Sequence, residues 1–333
     1  MNRERYINPS ARTWVLEKKL LTRAQYDRLI EAENLQELFR LLNDTPYGEY
    51  LNKLEKPEDY ELALLEAQNK AYEDLREMSP DGELIEFFLA KYDYHNYKVL
   101  FKELLSGEDH SDIYFSRDSL GLLAKRSFLL SEDEEVRERE LPELYQEVKK
   151  AYARYEDPQV VDILVDRAYY ERLHQLVTDL DSEFLSQYLA DEIDFINIKM
   201  LLRMKKQMRN VTLIDGFLIP GGHIPVSFFS KEFFSPVSEI LTKLSKKTLG
   251  STMERALKAY EEEQKLSAME RVFEVHSLSL ANEARKVTYG PEVLFNYVLQ
   301  LETEIKNLRM IIVSKLNRVP ADKVRSRLRR VDA

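Results

Sequence analysis

One pattern constrains the chain more than any other: acid-x-x-Asn-x-cation, set among apolar residues, occurs three times. The copies are "YDYHNYKVLFK" around Asn96, "EIDFINIKMLLR" around Asn197 and "LETEIKNLRMIIV" around Asn307. The acid is Asp93, Asp194 or Glu304, and the cation is Lys98, Lys199 or Arg309. Positions −2, +1, +3, +4 and +5 from the asparagine are apolar or aromatic in every copy, and the asparagines lie 101 and 110 residues apart. At 3.6 residues per turn the acid and the asparagine share one helix face. Apolar residues on several sides of them predict buried helices. A period near one hundred residues is too long for a short-repeat solenoid. It predicts an all-α chain of three related helical units, residues 1–108, 109–216 and 217–333, arranged in a row or around an axis.

Start and stop signals surround the copies. Ser79 with Pro80, and Gly290 with Pro291, read as an N-cap followed by a proline at the first helical position. Asp181 or Ser182 stands at the matching place in the middle copy. Gly107, Asn210 and the Asn317 to Pro320 segment read as stops. Each copy is then a helix of about 27 residues, roughly 40 Å long. Thr22 with Gln25 fits a capping box, and Asn34 with Glu37 resembles one. Only nine of the 333 residues are Gly, which agrees with a mostly helical chain.

The recurrence also bears on chemistry. A catalytic site is assembled once per chain, whereas this cluster appears three times. A buried asparagine and carboxylate must find hydrogen-bond partners or cost several kcal/mol. The nine repeat residues are therefore read as joints that tie long helices to their neighbours and fix register. His95 has no equivalent in the other copies and is read as incidental. Glu171-x-x-His174 matches half of a di-metal bundle motif, but no second Glu-x-x-His exists, so no metal site is assigned. No glycine-rich phosphate loop and no nucleophile elbow is present, so neither a catalytic residue nor a cofactor is expected. "SEDEEVRERELPEL", from Ser131, reads as a solvated helix face.

Charge and composition narrow the partners. The chain has no Cys, which removes disulfides and thiolate chemistry. It has no signal peptide and no apolar run long enough to span a bilayer, so an intracellular, peripheral protein is expected. A net charge of −10 argues against nucleic acid. Two basic stretches interrupt the acidic body, Asn197–Asn210 and Ile305–Ala333. They supply candidate contacts to acidic partners or headgroups: Lys205, Lys206 and Arg209, then Arg318, Lys323, Arg325, Arg327, Arg329 and Arg330.

"YINPSAR" near the start, the three acid-x-x-Asn-x-Lys/Arg helices, "FLIPGG" and the ending "ETEIKNLRMIIVSKLNRVP" together resemble the C-subunit family of V/A-type ATPases, whose eukaryotic counterpart is the d subunit of the vacuolar ATPase. The resemblance covers essentially the whole chain. It implies a funnel of three pseudo-equivalent helical units, one copy per complex, on the cytoplasmic face of the membrane. It implies a non-catalytic rotor component that joins the D and F subunits of the central stalk to the proteolipid ring. There it would transmit torque for proton or sodium transport, or for ATP synthesis. Contacts with anionic lipid headgroups are compatible with that place. The reading from a different class is an all-helical scaffold for partner proteins, unrelated to ion pumping.

Overall fold

The computed structural model describes residues 2–206, 214–246 and 249–329. Helix accounts for 78% of it, and no strand occurs among the described residues. In chain order the first helices are α1 (Ile7–Glu17), α2 (Arg23–Glu31), α3 (Leu35–Leu41), α4 (Gly48–Leu51), α5 (Tyr60–Met78) and α6 (Gly82–Ser106). Then come α7 (Leu122–Ser131), α8 (Glu134–Glu140), α9 (Glu143–Tyr155), α10 (Gln159–Leu180), α11 (Glu183–Lys206) and α12 (Ile214–Phe217). The last are α13 (Val226–Glu232), α14 (Val237–Ser245), α15 (Gly250–Glu263), α16 (Leu266–Asn282), α17 (Pro291–Leu316) and α18 (Ala321–Arg327). The chain clusters into two compact units, one of Met1–Ile85 with Glu274–Ala333 and one of Glu86–Phe273.

The first unit is built around α17. Nineteen of its 26 residues are buried, so it is a core helix rather than an amphipathic surface one. Several of its buried polar side chains are answered from the N-terminal part of the chain. Glu292 accepts from the two terminal guanidinium nitrogens of Arg3, at 2.8 and 3.0 Å. Asn296 donates to Glu17 at 2.8 Å, and Tyr72 donates to Glu302. The start of α17 follows its signals, with Gly290 as N-cap and Pro291 at the first position. The Gly290 N–H donates to the Ser10 hydroxyl at 3.1 Å, which places "YINPSAR" at this helix start.

The corresponding reading at α6 needs correction. The helix begins at Gly82, two residues after Pro80. Ser79 instead donates to the Asp81 carbonyl, and the Asp81 carboxylate accepts from Arg5 and Tyr6, each at 2.8 Å. The segment before Gly82 is thus held as a turn by partners some 75 residues away. In the middle copy Ser182 directly precedes α11, and its hydroxyl accepts from the Leu185 N–H at 3.4 Å. Asp181 is left-handed and closes α10. The three long helices run 25, 24 and 26 residues, slightly shorter than expected. Gly107 ends α6 at φ +75°, and Asn317 caps α17, while Asn210 lies outside the described residues. Thr22 and Gln25 form the full capping box. Asn34 accepts from the Glu37 N–H at 2.9 Å, but Glu37 reaches back to Glu33 rather than to the cap.

The second unit holds two apolar cores. One joins Leu100 and Phe101 of α6 to Leu122, Leu129, Tyr145, Val148, Val161 and Val165. The other joins Phe195, Ile198, Leu201 and Leu202 of α11 to residues from Leu218 to Phe273, with Phe195 and Phe273 stacked at 4.3 Å. Each core thus seats the second half of a long helix against the chain that follows it. The acidic stretch from Ser131 forms α8, which has no buried residue. No helix among the described residues is long and apolar enough to cross a membrane.

Candidate functional site

The acid and asparagine of every copy are buried, none more than 4% exposed. Each asparagine does the same thing. Asn96 accepts from the Phe115 N–H at 2.9 Å and donates to the Phe115 carbonyl at 3.0 Å. Asn197 pairs with Ile219 in the same way, at 2.8 and 2.7 Å. Asn307 pairs with Arg329, at 3.0 Å in both directions. A side-chain amide carries one acceptor and one donor side, so it can satisfy both backbone groups of a single residue that has left regular structure. The partners stand 19, 22 and 22 residues after their asparagines. The helix interior thereby grips the returning chain at one fixed residue.

The acids extend the grip differently. Asp93 accepts from the Ser119 N–H at 2.8 Å and from its hydroxyl. Asp194 accepts from the His223 and Ile224 N–H groups, at 3.1 and 3.0 Å. In both cases the acid holds the loop that the neighbouring asparagine holds. Gly222 makes the second of these possible, because a Cβ there would stand 2.2 Å from the Asp194 Oδ1. Glu304 instead reaches back to the N-terminal part of the chain. It accepts from the Leu21 N–H and from the Tyr47 hydroxyl at 2.8 Å, with Tyr26 alongside. Burial raises all three acids, Asp194 to about 6 and Glu304 to about 7, against the hydrogen bonds that favour their charged forms.

His95 takes part in the first joint, which corrects the reading of it as incidental. Its Nε2 lies 2.9 Å from the Ile113 carbonyl, and its ring packs on Phe115 at 4.5 Å. Near the second joint the His223 ring meets Asp191 at 3.1 Å and Gln187 at 3.0 Å. Glu171 pairs with Arg167, and no group of three or more His, Asp or Glu among the described residues is placed to hold a metal ion.

The cations of the motif sit at the edges. Lys98 pairs with Asp166 at 2.6 Å and Arg309 with Glu61. Lys199 has no ion pair among the described residues. Of the basic contact candidates, Lys205 is turned inward. Its ammonium donates to the carbonyls of Phe233 and Ser235, and burial lowers its pKa. Arg325 pairs with Glu31, and Arg329 pairs with Glu274 at 3.0 and 3.1 Å. Arg318, Lys323 and Arg327 are exposed and have no ion pair among the described residues. The Lys206 side chain, Arg209 and Arg330 lie outside the described residues.

The asparagine partners and the back-reach of Glu304 were not foreseen. A backbone partner leaves no side-chain signature, although "FLIPGG" did mark the loop containing Ile219 and Gly222.

Comparison with known proteins agrees with this whole-chain pattern. The family model described as ATP synthase (C/AC39) subunit matches residues 9–327. The C subunit of the V-type sodium ATPase of Enterococcus hirae is 24% identical over 98% of both chains. The C subunit of the A-type ATP synthase of Methanocaldococcus jannaschii is 23% identical over 97% of this chain and 85% of that one. Its equivalent in Thermococcus kodakarensis is 26% identical over 92% of this chain and 86% of its own. With nearly its full length matched, the chain belongs to the ATP synthase (C/AC39) subunit family.

Proposed function

We propose that this chain is the rotor collar of a V/A-type ATPase. It joins the D and F subunits of the central stalk to the proteolipid ring and transmits torque, without catalysing any step. The observation that carries this is the threefold asparagine grip. A part that passes torque must resist twisting, and close-packed helices pinned to their return segments by buried two-bond pairs are stiff. Two such pairs act within one compact unit and one within the other. The three repeat units, 1–108, 109–216 and 217–333, form a funnel with pseudo-threefold correspondence, lying on the cytoplasmic face of the membrane. Arg318, Lys323 and Arg327 remain the best-placed of the basic candidates for contacts with acidic groups of stalk, ring or lipid. Family membership favours this reading over a scaffold unrelated to ion pumping.

The absence of native Cys makes the test direct. One cysteine introduced at Leu62, 58% exposed on α5, carries a biotin and a bead in the assembled complex, which is fixed to glass through its catalytic head. With ATP the bead is expected to rotate in one direction. A bead that stays still while the complex hydrolyses ATP overturns the reading.

A further inference from the structure

Of the three repeat acids, Glu304 alone ties its helix to distant chain. Asp93 closes on a loop 26 residues further on, and Asp194 on one 29 and 30 residues further on. Glu304 accepts from the Leu21 N–H and the Tyr47 hydroxyl, 283 and 257 residues away in the sequence. The segment it holds, residues 21–51, carries α2, α3 and α4. The flanking helices α1 and α5 have bonds of their own to α17 and its cap: Ser10 with Gly290, Glu17 with Asn296 and Tyr72 with Glu302.

Nothing around this carboxyl answers a negative charge. Glu304, Tyr26 and Tyr47 are each 1% exposed. The groups that act on Glu304 are the Leu21 N–H and the hydroxyls of Tyr47 and Tyr26, all neutral. Tyr297 of α17 faces it too, and the charges beyond that ring, Asp74 of α5 and Glu17 of α1, are negative. Arg309 and Lys315 of α17 are engaged by Glu61 and the Ile30 carbonyl, and Arg325 of α18 by Glu31. The buried Tyr26 hydroxyl stands beside Glu304 and Asn307 and makes no hydrogen bond among the described residues. A hydroxyl accepts as well as donates, so a neutral Glu304 finds an acceptor for its O–H here without rearrangement.

We infer that Glu304, Tyr26 and Tyr47 form a proton-operated latch: the protonated carboxyl holds residues 21–51 on α17, and loss of the proton loosens that segment while α1 and α5 stay docked. A carboxyl buried without a cation favours its neutral form, and burial raises Glu304 from 4.5 to about 7. In the opened segment the group returns to its ordinary range. The closed form therefore binds the proton more tightly. Opening is least below pH 4.5, grows by up to about tenfold per pH unit above it, and levels off near pH 7. The latch does not depend on the collar reading.

Hydrogen exchange of the full-length chain from pH 4.5 to 8, with the intrinsic rate divided out, reads the opening. Protection of residues 21–51 is expected to fall about thirtyfold between pH 5 and 7 and then to level off. At each pH the segment is expected to exchange at least about tenfold faster than the core of α5 around Leu64 and Leu75, and to respond less to added urea, as a local opening does. Glu304→Gln puts a neutral group in place of the carboxyl and is expected to remove the fall. Tyr47→Phe takes one donor from the ionised form and is expected to move the levelling-off up by about one pH unit. Equal protection at pH 5 and 7 in the native chain overturns the inference. So does a segment that exchanges only together with α5, because the whole unit is then unfolding. A Glu304→Gln chain that still loosens, or a Tyr47→Phe chain that levels off at the native pH, overturns it as well.

Discussion

The second and third joints use the same sequence pattern to different ends. At the second, Asp194 and Asn197 close on one loop, from Ile219 to Ile224. At the third, Asn307 holds Arg329 while Glu304, longer by one methylene, reaches Leu21 and Tyr47. One motif thus makes a clasp in one unit and a three-way tie in the other. The asparagine step is common to all, and the acid decides how many segments a long helix binds. The joints also differ in how much water each admits. Ile219 is 2% exposed, Arg329 is half-buried, and Phe115 of the first joint is 42% exposed.

That gradient gives the largest expected effect. Asn197→Ala leaves the N–H and C=O of Ile219 buried without partners. Each unsatisfied group costs about 1–3 kcal/mol, so a loss of roughly 3 kcal/mol is expected after partial relaxation. Asn96→Ala exposes the same two groups at a site water can reach, and about 1–2 kcal/mol is expected. Urea unfolding of the two variants against the native chain measures both. Equal losses would show that the amides do not work as buried grips.

The acids separate the joints by pH. A carboxyl whose folded pKa is raised holds its proton more tightly in the native than in the unfolded chain. Its contribution to stability is therefore fully present below the unfolded pKa and is lost as pH rises through the folded one. For Glu304 the window runs from the ordinary 4.5 to about 7, and for Asp194 from 3.8 to about 6. Glu304 faces Tyr47, Tyr26 and Tyr297, with no cation among the groups acting on it. Asp194 faces His223 and Asp191. Glu304→Gln is expected to flatten the fall in stability up to pH 7, and Asp194→Asn to flatten only the part below pH 6. Unfolding midpoints taken from pH 4 to 8 read both windows. A native chain whose stability rises across this range at both joints would reverse the assignment.

The sequence revealed these elements unevenly, for physical reasons. The three helices and their buried polar faces were legible because helical periodicity and the acid–asparagine spacing are local. So were Pro291, Ser182 and the Thr22 capping box, whose partners lie within a few residues. Ser79 and Pro80 carried the same local signal, yet long-range bonds from Arg5 and Tyr6 to Asp81 delayed the helix to Gly82. The gripped residues were illegible, because Phe115, Ile219 and Arg329 share no chemistry beyond a peptide unit. Lys205 looked like a free cation in the sequence, and only folding reveals two carbonyls beside it.

The cations of the motif offer the smallest effect and the sharpest check on what the repeat keeps physically. Lys98 and Arg309 meet carboxylates that are 41% and 47% exposed, where solvent screens the pair. Lys98→Ala and Arg309→Ala are each expected to lose at most about 1 kcal/mol, and less at high salt. Lys199, without an ion pair among the described residues, is expected to change stability by no more than about 0.5 kcal/mol on replacement by Ala. The order Arg309 ≈ Lys98 > Lys199, read from urea midpoints at low and high salt, follows if the third element of the motif works only through its local partner. A Lys199→Ala loss as large as that of Asn197→Ala would mean that the cation belongs to the clasp itself, and the division between buried grip and solvated edge would fall.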